Sequence, residues 1–523
     1  MDWPIDRERL LKMDRGIPRY EQIAGAIESA IVSGRLRSGE RLSTVRELAM
    51  QLGVSGTTIA AAYNLLSEKG WIRSEVGRGT FVTSPQIGGA FVGASKERNN
   101  LSMIGTSPLV TDSPAKTRRL GVSPVVPWRR RALMSSAARL RAAYPELADC
   151  STGRPDPALL PLSVLRRVWK EVVDSTSHAD LQYAGPEPVE ALVKELLPRL
   201  SLDKVPARSA DLVVGSSAQQ LMVLTLQVLS AASAHSEVTV AVENPGYPTI
   251  FDTYERAGHR LVGIEVDEFG AVPASLDAAL RDGAMAILLT PRAHNPTGAS
   301  WSVDRAATLA DVIADHPGTL VIEDDHFAGI TTTRPGSLLA DNRIEDRVIY
   351  IRSFSKSIAP DLRIAVAVAR PRLRLLLSEA KSFADGWTSR IAQRSLARAL
   401  ADEELDVLLE AAAAAYAQRR IAAARELHTA FAHLGGGAWS GADGVNIWVH
   451  LPSGSDSIQV IEQSAAMGVL VAPGEPFFIR PGRVDVLRMN AGAVGADRAV
   501  EVGRALAKAA LTRVDTPTAA IPV

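Results

Sequence analysis

The 523-residue chain has one cysteine, Cys150, so neither an internal disulfide nor a Cys-rich zinc site is expected, and this usage fits a reducing compartment. It has no net charge, because 58 Lys and Arg balance 58 Asp and Glu. No stretch reaches the roughly 18–20 uninterrupted apolar residues that a membrane-spanning helix needs. Met1 to Asp6 lacks a basic stretch followed by an apolar run, so no signal peptide is expected. Together these absences predict a cytoplasmic protein with no membrane partner. What is present, 46% apolar and 22% charged residues, is the composition of a folded globular protein. The length suggests about three or four domains, or one large enzyme-like domain with an appendage.

Taken over the whole chain, zero net charge argues against a nucleic-acid partner. Segment by segment the balance is different. Residues 1–83 hold 12 basic and 10 acidic side chains, residues 84–141 hold 10 and 2, and the remainder is net −10. The middle segment, with Gly88-Gly89, Ser107-Pro108, Ser113-Pro114 and Arg129-Arg130-Arg131, shows no sustained period of 2 or 3.6. It is expected to be a flexible basic linker, with a short helix near its end. It is either a solvated tether or one that also holds DNA phosphates.

The first segment carries three helical patterns and a hairpin. Ile23, Ile27 and Ile31 repeat at i, i+4, i+8. Val45, Leu48, Ala49 and Leu52 follow the helical period, with Ser43 as the expected N-cap and Gly53 as the stop. Ile59, Tyr63 and Leu66 mark a third helix, and Gly77-Arg78-Gly79 turns a hairpin between Trp71-Ile72-Arg73 and Thr80-Phe81-Val82. Two helices across a tight Gly turn form a helix-turn-helix, whose second helix enters the DNA major groove while the hairpin serves as a wing. Ser55, Thr57, Thr58 and Tyr63 on the third helix, Arg46 on the second, and Arg78 and Gly79 at the wing are the candidate DNA-facing residues. A plain three-helix domain would show the same periodicity.

From about residue 149 short apolar runs alternate with helical stretches. Leu212–Val214, Val238–Val242, Ala286–Leu289, Leu320–Ile322 and Val348–Ile351 suit strands covered on both faces, as in a parallel α/β sheet. A polar cluster follows each run, and ligands of open α/β sheets bind outside the carboxyl ends of the strands, so five clusters predict one pocket. Ser217, Ala218 and Gln219 open a helix whose N–H groups can hold a phosphate. Ser353 and Ser355 add hydroxyls, and Arg363 adds a bidentate guanidinium. Tyr247 offers a ring face. Asp324 and Asn295 can fix two edges of a heteroaromatic ring, and Lys356 is an amine poised for Schiff-base chemistry. Together they describe a site for pyridoxal 5′-phosphate (PLP). Singly, each is as well explained as a surface or core residue. Asp324, Asp325 and His326 also leave a metal site open, though no further ligand has the right spacing, and no metal is expected.

The order of residues adds resemblances. Pro18 to Ile23, Gly34 to Leu42, Val45 to Ala49, Thr57 to Ile59, Ala62-Tyr63 and Gly77 to Val82 resemble the winged helix-turn-helix of the GntR family, covering about residues 17–83. That family usually has Arg where this chain has Gly56 and Pro where it has Ser43. Residues 149–523 resemble fold-type I, aspartate-aminotransferase-like PLP enzymes. That resemblance implies that Lys356 carries the cofactor, Asp324 pairs with its pyridine nitrogen, Asn295 bonds its 3′-oxygen and Tyr247 stacks on it. It also implies that Ser217 to Gln219, Ser353, Ser355 and Arg363 hold the phosphate, and that Arg488, in Leu487-Arg488-Met489-Asn490, grips an effector carboxylate. A one-residue slip to Asp325 remains open. His326 stands where relatives usually have a cofactor-touching tyrosine, and Arg292 where they have a small residue.

The expected architecture is therefore multidomain: a winged helix-turn-helix (1–83), a basic linker (84–141), and an α/β fold-type I PLP domain (142–523). This order resembles the MocR/GabR type of bacterial transcriptional regulator. The resemblance implies double-stranded promoter DNA as partner and an amino acid or amine effector that displaces Lys356 as an external aldimine and changes DNA binding. It also implies a homodimer, head-to-tail and domain-swapped. The alternative is an active aminotransferase carrying an incidental winged helix.

Overall fold

The computed structural model describes residues 18–82 apart from 33–35, 37–38, 69–70 and 76–78, and residues 127–512 apart from 233–236 and 433. The chain forms two compact units, Met1–Val125 and Val126–Val523. The expected linker up to residue 126, and Arg78, lie outside the described residues.

In the first unit, α1 (Arg19–Val32), α2 (Val45–Leu52) and α3 (Gly56–Glu68) precede the antiparallel strands β1 (Ile72–Glu75) and β2 (Gly79–Val82). Ile23, Ile27, Leu48, Leu52, Ile59 and Leu66 are buried together with Leu36, Leu42, Ile72 and Val82, so the helical periods do mark one core. The cap of α2 is Thr44, one residue later than expected. Its side chain accepts from the Glu47 N–H at 3.3 Å while Glu47 Oε2 accepts from the Thr44 N–H at 2.8 Å. Gly53 ends α2 at φ 64°, a left-handed position that suits glycine.

Two of the candidate DNA-facing residues have structural duties here. Tyr63 is buried, and its hydroxyl donates to the Ser43 carbonyl at 2.6 Å, so it fastens α3 to the residue before the α2 cap instead of facing a phosphate. Gly79 has φ 116°, and a Cβ there would meet Arg41 Nε at 2.7 Å. The position needs glycine for its backbone and for the guanidinium that crosses it.

The second unit begins earlier than the expected boundary at 142. Trp128–Ala143 is α4, and it packs on the body of the unit. Arg129 is the reason. Its guanidinium is fully buried, donates to Asp252 at 2.9 Å and to Glu255 at 2.6 and 3.1 Å, and also reaches the Phe478 and Ile479 carbonyls. A charge run read as solvated tether thus contains a buried anchor.

The main sheet comprises β3 (Leu212–Gly215), β4 (Thr239–Glu243), β5 (Arg260–Ile264), β6 (Ala286–Leu289), β7 (Leu320–Asp325), β8 (Val348–Ser353) and β9 (Ala365–Ala369), in the order β3-β9-β8-β7-β6-β4-β5. All five expected strands are present, but the sheet is mixed. β9 runs antiparallel to both neighbours. The chain returns from Ser353 to Ala365 through one turn of 3-10 helix, too short for the crossover that a parallel strand requires. β5 is an edge strand with only partial burial, which weakens its apolar signal. Separate apolar clusters cover the two faces. A second sheet of four strands carries Arg488 on the strand Val486–Asn490.

Truncating the anchor strands two carboxylates. Arg129→Ala is expected to lower the stability of the second unit by about 3–5 kcal/mol, read as a lower denaturation midpoint in urea.

Candidate functional site

The carboxyl ends of β3, β4, β6, β7 and β8 open into one cavity of about 600 Å³. Ser217, Ala218 and Gln219 reach it from the start of the helix Ala218–Ala232. Tyr247 and Asn295 come from the loops after β4 and β6. Asp324 and His326 come from the end of β7, and Ser353, Ser355, Lys356 and Arg363 from the turn after β8. Arg488 enters from the second sheet. Every residue expected at the cofactor or effector therefore meets in one place.

Strand geometry separates Asp324 from Asp325. Successive side chains of a strand point to opposite faces, and Asp324 lines the cavity while Asp325 is sealed behind it, accepting from the Tyr350 hydroxyl at 2.6 Å. The same alternation prevents Asp324, Asp325 and His326 from converging on one metal ion. Arg292 likewise faces away from the cavity, ion-paired to Asp325 at 3.0 Å and Asp203 at 3.1 Å, and is not among the residues that line it.

Polar groups at one end of the cavity lack hydrogen-bond partners. Asp324 Oδ1, Asn295 Oδ1 and His326 Nδ1 are buried with no hydrogen bond among the described residues. Such orphans are costly unless a ligand satisfies them. At the other end, the helix N-terminus, the Ser353 and Ser355 hydroxyls and Arg363 form an anion cradle. Arg363 adopts φ 52°, a left-handed conformation that costs a non-glycine residue about 1–2 kcal/mol and that the surrounding turn imposes. The donor set therefore fits PLP: a phosphate at the cradle, a ring between Tyr247 and the orphaned edge groups, and an amine at the aldehyde end.

Charge in the cavity is tuned by burial. Burial lowers Lys356 to about 8, with Arg488 adding to the shift and Asp324 opposing it, and its ammonium donates to the Gly153 carbonyl. Arg488 is buried and lowered to about 10. It donates to Asn446 Oδ1 at 3.2 Å and to the Ser151 carbonyl, which aims its guanidinium across the cavity. Burial raises the Asp324 carboxyl, while His326, whose Nδ1 lies 3.6 Å from Asp324 Oδ2, pulls it back. Beneath them Glu243 is pushed up to about 8 and His294 down to about 3, both chiefly by burial.

Several wall residues had no place among the expected site residues. Ser151 and Asn446 hold Arg488, Gly153 holds Lys356, Thr152 and Arg154 accept from Asn490, and Leu133, Met134 and Arg141 bring α4 to the rim. The small polar run Ser151-Thr152-Gly153 is a detectable signal. Nothing local marks Asn446, because its role depends on the pairing of its strand with Val486–Asn490, where it stands opposite Asn490 and reaches Arg488 two residues away.

In the first unit, Arg46, Ser55 and Thr57 are exposed. Ser55 Oγ accepts from the Thr58 N–H at 3.2 Å and lies 2.7 Å from the Thr57 and Thr58 hydroxyls, so Ser55 caps α3 and orders its first turn.

Residues 155–503 match the family described as aminotransferase class I and II. The chain belongs to that family. Residues 19–82 match the bacterial regulatory proteins of the gntR family, which makes the protein a GntR-type transcription regulator with an aminotransferase-like domain. Among its relatives, the vitamin B6 salvage pathway transcriptional repressor PtsJ of Salmonella typhimurium is 31% identical over 87% of this chain and 90% of its own length. The HTH-type transcriptional regulator TauR of Rhodobacter capsulatus is 28% identical over 86% of this chain and 88% of its own. The kynurenine aminotransferase of Pyrococcus horikoshii, solved in complex with PMP, superposes with a TM-score of 0.63 at 24% identity over 72% of this chain and 93% of that chain, a likeness of fold. Members of the aminotransferase class I and II family bind PLP, in agreement with the donor set of this regulator's cavity.

Only the neutral amine of Lys356 is nucleophilic. The rate of PLP uptake by the cofactor-free protein is therefore expected to rise about tenfold between pH 7 and pH 9 with a midpoint near 8, followed by visible absorbance, and to vanish in Lys356→Ala.

Proposed function

We propose that this regulator senses an amine or amino acid in its PLP cavity and converts the occupancy into altered binding of promoter DNA. The observation that carries this reading is the meeting of Lys356, Asp324 and Arg488 in one cavity of a chain that also has a gntR-family domain.

The residue roles follow from the geometry. PLP, when bound, supplies an electrophilic carbon and an electron-withdrawing ring. Lys356 would hold it, and its lowered proton affinity would favour exchange with an incoming amine. Asp324 would keep a proton at the ring nitrogen. Asn295 and His326 would border the ring edge, and Tyr247 would cover its face. Arg488, already aimed by Ser151 and Asn446, accepts the effector carboxylate. A change of DNA affinity requires that the effector bind the two DNA-binding states unequally. The protein is read as a cytoplasmic homodimer, with head-to-tail exchange permitted by the segment between the units. That two relatives are named for vitamin B6 salvage and for pyridoxine biosynthesis supports testing PLP itself as a signal.

Purified holoprotein is expected to shift a promoter fragment from upstream of its own or neighbouring genes, and one member of an amino acid and amine panel, or PLP, to change both the shift and the cofactor's absorption. Failure to shift any such fragment removes the reading. The convergence of Lys356, Asp324 and Arg488 also supports an aminotransferase, and multiple turnovers with a keto-acid acceptor would favour that alternative. At the DNA face, Gly56 has only Val45 Cγ1 near its missing Cβ, at 3.9 Å, so a longer side chain fits. Gly56→Arg is expected to tighten binding and steepen the slope of log K against log salt by about 1, measured by fluorescence anisotropy.

A further inference from the structure

Behind the cavity lies a buried ionic network that the cofactor chemistry does not use. Arg292, Asp325 and Arg352 have almost no solvent exposure, and Asp203 is buried with them. Asp203 joins two arginines, Oδ1 to Arg292 at 3.1 Å and Oδ2 to Arg352 at 2.7 Å. Arg292 pairs in turn with Asp325 at 3.0 Å and donates to Thr331 Oγ1 at 3.3 Å and the Thr333 carbonyl at 3.2 Å. Burial would raise the Asp203 carboxyl, but Arg352 and Arg292 hold it below its ordinary value, so the network is charged.

Its placement is the informative feature. Asp325 and Arg352 are register partners on adjacent parallel strands, and each sits one residue from a cavity residue, Asp324 and Ser353. Side-chain alternation puts one member of each pair into the cavity and the other into the network. Arg292 lies three residues before Asn295, in a loop that adopts φ 49° at Ala293 and is tied by the Ala293 N–H to Ser300 Oγ at 2.9 Å. Three structural segments that deliver Asn295, Asp324 and Ser353 are thus joined at their backs by a single set of ion pairs.

We infer that Arg292, with Asp325, Asp203 and Arg352, is a positioning network that fixes the ring-edge and phosphate-end groups of the cofactor cavity. This rests on the reading of the cavity as a PLP site. Partners that orient binding groups from behind restrict their motion and set their charge. Asp324 is faced by His326, Lys356 and Tyr247 in the cavity, by the buried Glu243 and Tyr254, and by Asp325 from behind. Arg292, Tyr350 and Glu323 face Asp325. Removing Arg292 leaves an unbalanced anion near Asp324 and favours protonated forms in the cavity. Removing the Asp325 charge leaves the cation and does the opposite.

The experiment measures PLP affinity and the pH midpoint of the bound cofactor's visible band in full-length wild type, Arg292→Met, Arg292→Lys, Asp325→Asn and the double variant Arg292→Met/Asp325→Asn. Arg370→Met serves as a control, because Arg370 pairs with buried Asp211 at 2.9 Å at the opposite end of the sheet. The two neutralising single variants are expected to weaken PLP binding about tenfold. The band midpoint should move up in Arg292→Met and down in Asp325→Asn, and return near wild type in the double variant. Arg292→Lys should bind better than Arg292→Met, and Arg370→Met should lose thermal stability with unchanged PLP affinity. Equal affinity of Arg292→Met and wild type, midpoint shifts of the same sign, or equal weakening by Arg370→Met would overturn the inference. Should Arg292→Met not fold, Arg292→Lys and Asp325→Asn decide it by the same readouts. A wild-type chain that binds no PLP would instead remove the reading of the cavity.

Discussion

The alternation of side chains along β7 and β8 is the constraint on which the second unit depends. At each strand end one residue must face the cavity and its neighbour the interior. Asp324 and Ser353 take the first position, and Asp325 and Arg352 the second. Carboxylates and guanidinium groups are tolerated inside a protein only when paired. The interior positions therefore require the partners they have, Arg292 and Asp203. The cavity and the network behind it are two faces of one geometric fact.

Burial then gives the cavity its chemistry. Lys356, Arg488, Glu243 and His294 all lose charge preference in the same direction, toward the neutral form, because little water reaches them. A lysine near 8 beside a buried arginine keeps part of its amine neutral near pH 7, which suits the proposed sensing role. The same groups would serve turnover. The gntR-family unit supplies the reason to read occupancy as a signal.

Much of this was legible in the chain. The apolar runs located five strands, and the polar residue after each run named the cavity lining. The segmental charge, net +5 over residues 1–125 and net −5 over residues 126–523, agrees with a DNA-binding unit ahead of an acidic body, although five of the arginines first counted with the linker lie in α4 of that body. What was misread had specific causes. Arg129 belongs to a run of three arginines and reads as solvated, yet Asp252 and Glu255 lie more than 120 residues away in sequence. Tyr63 has a polar tip, but its partner is the Ser43 carbonyl across the helix-turn-helix. β9 was absent from the expected sheet because three of its five residues are alanines, leaving only Val366 and Val368 as strand signal.

The sequence by itself determined the two-part organisation and the identity of the groups in the cavity, since these follow from local periodicity and from residues placed just after buried strands, while the family came from the order of its motif residues. Tertiary structure decided direction and pairing. It chose Asp324 over Asp325, turned Arg292 away from the effector, drew α4 into the second unit, and brought Asn446 beside Arg488. Each of these depends on which face of a strand or helix meets which distant neighbour. Pairings between residues a hundred or more positions apart leave no periodic trace in the chain.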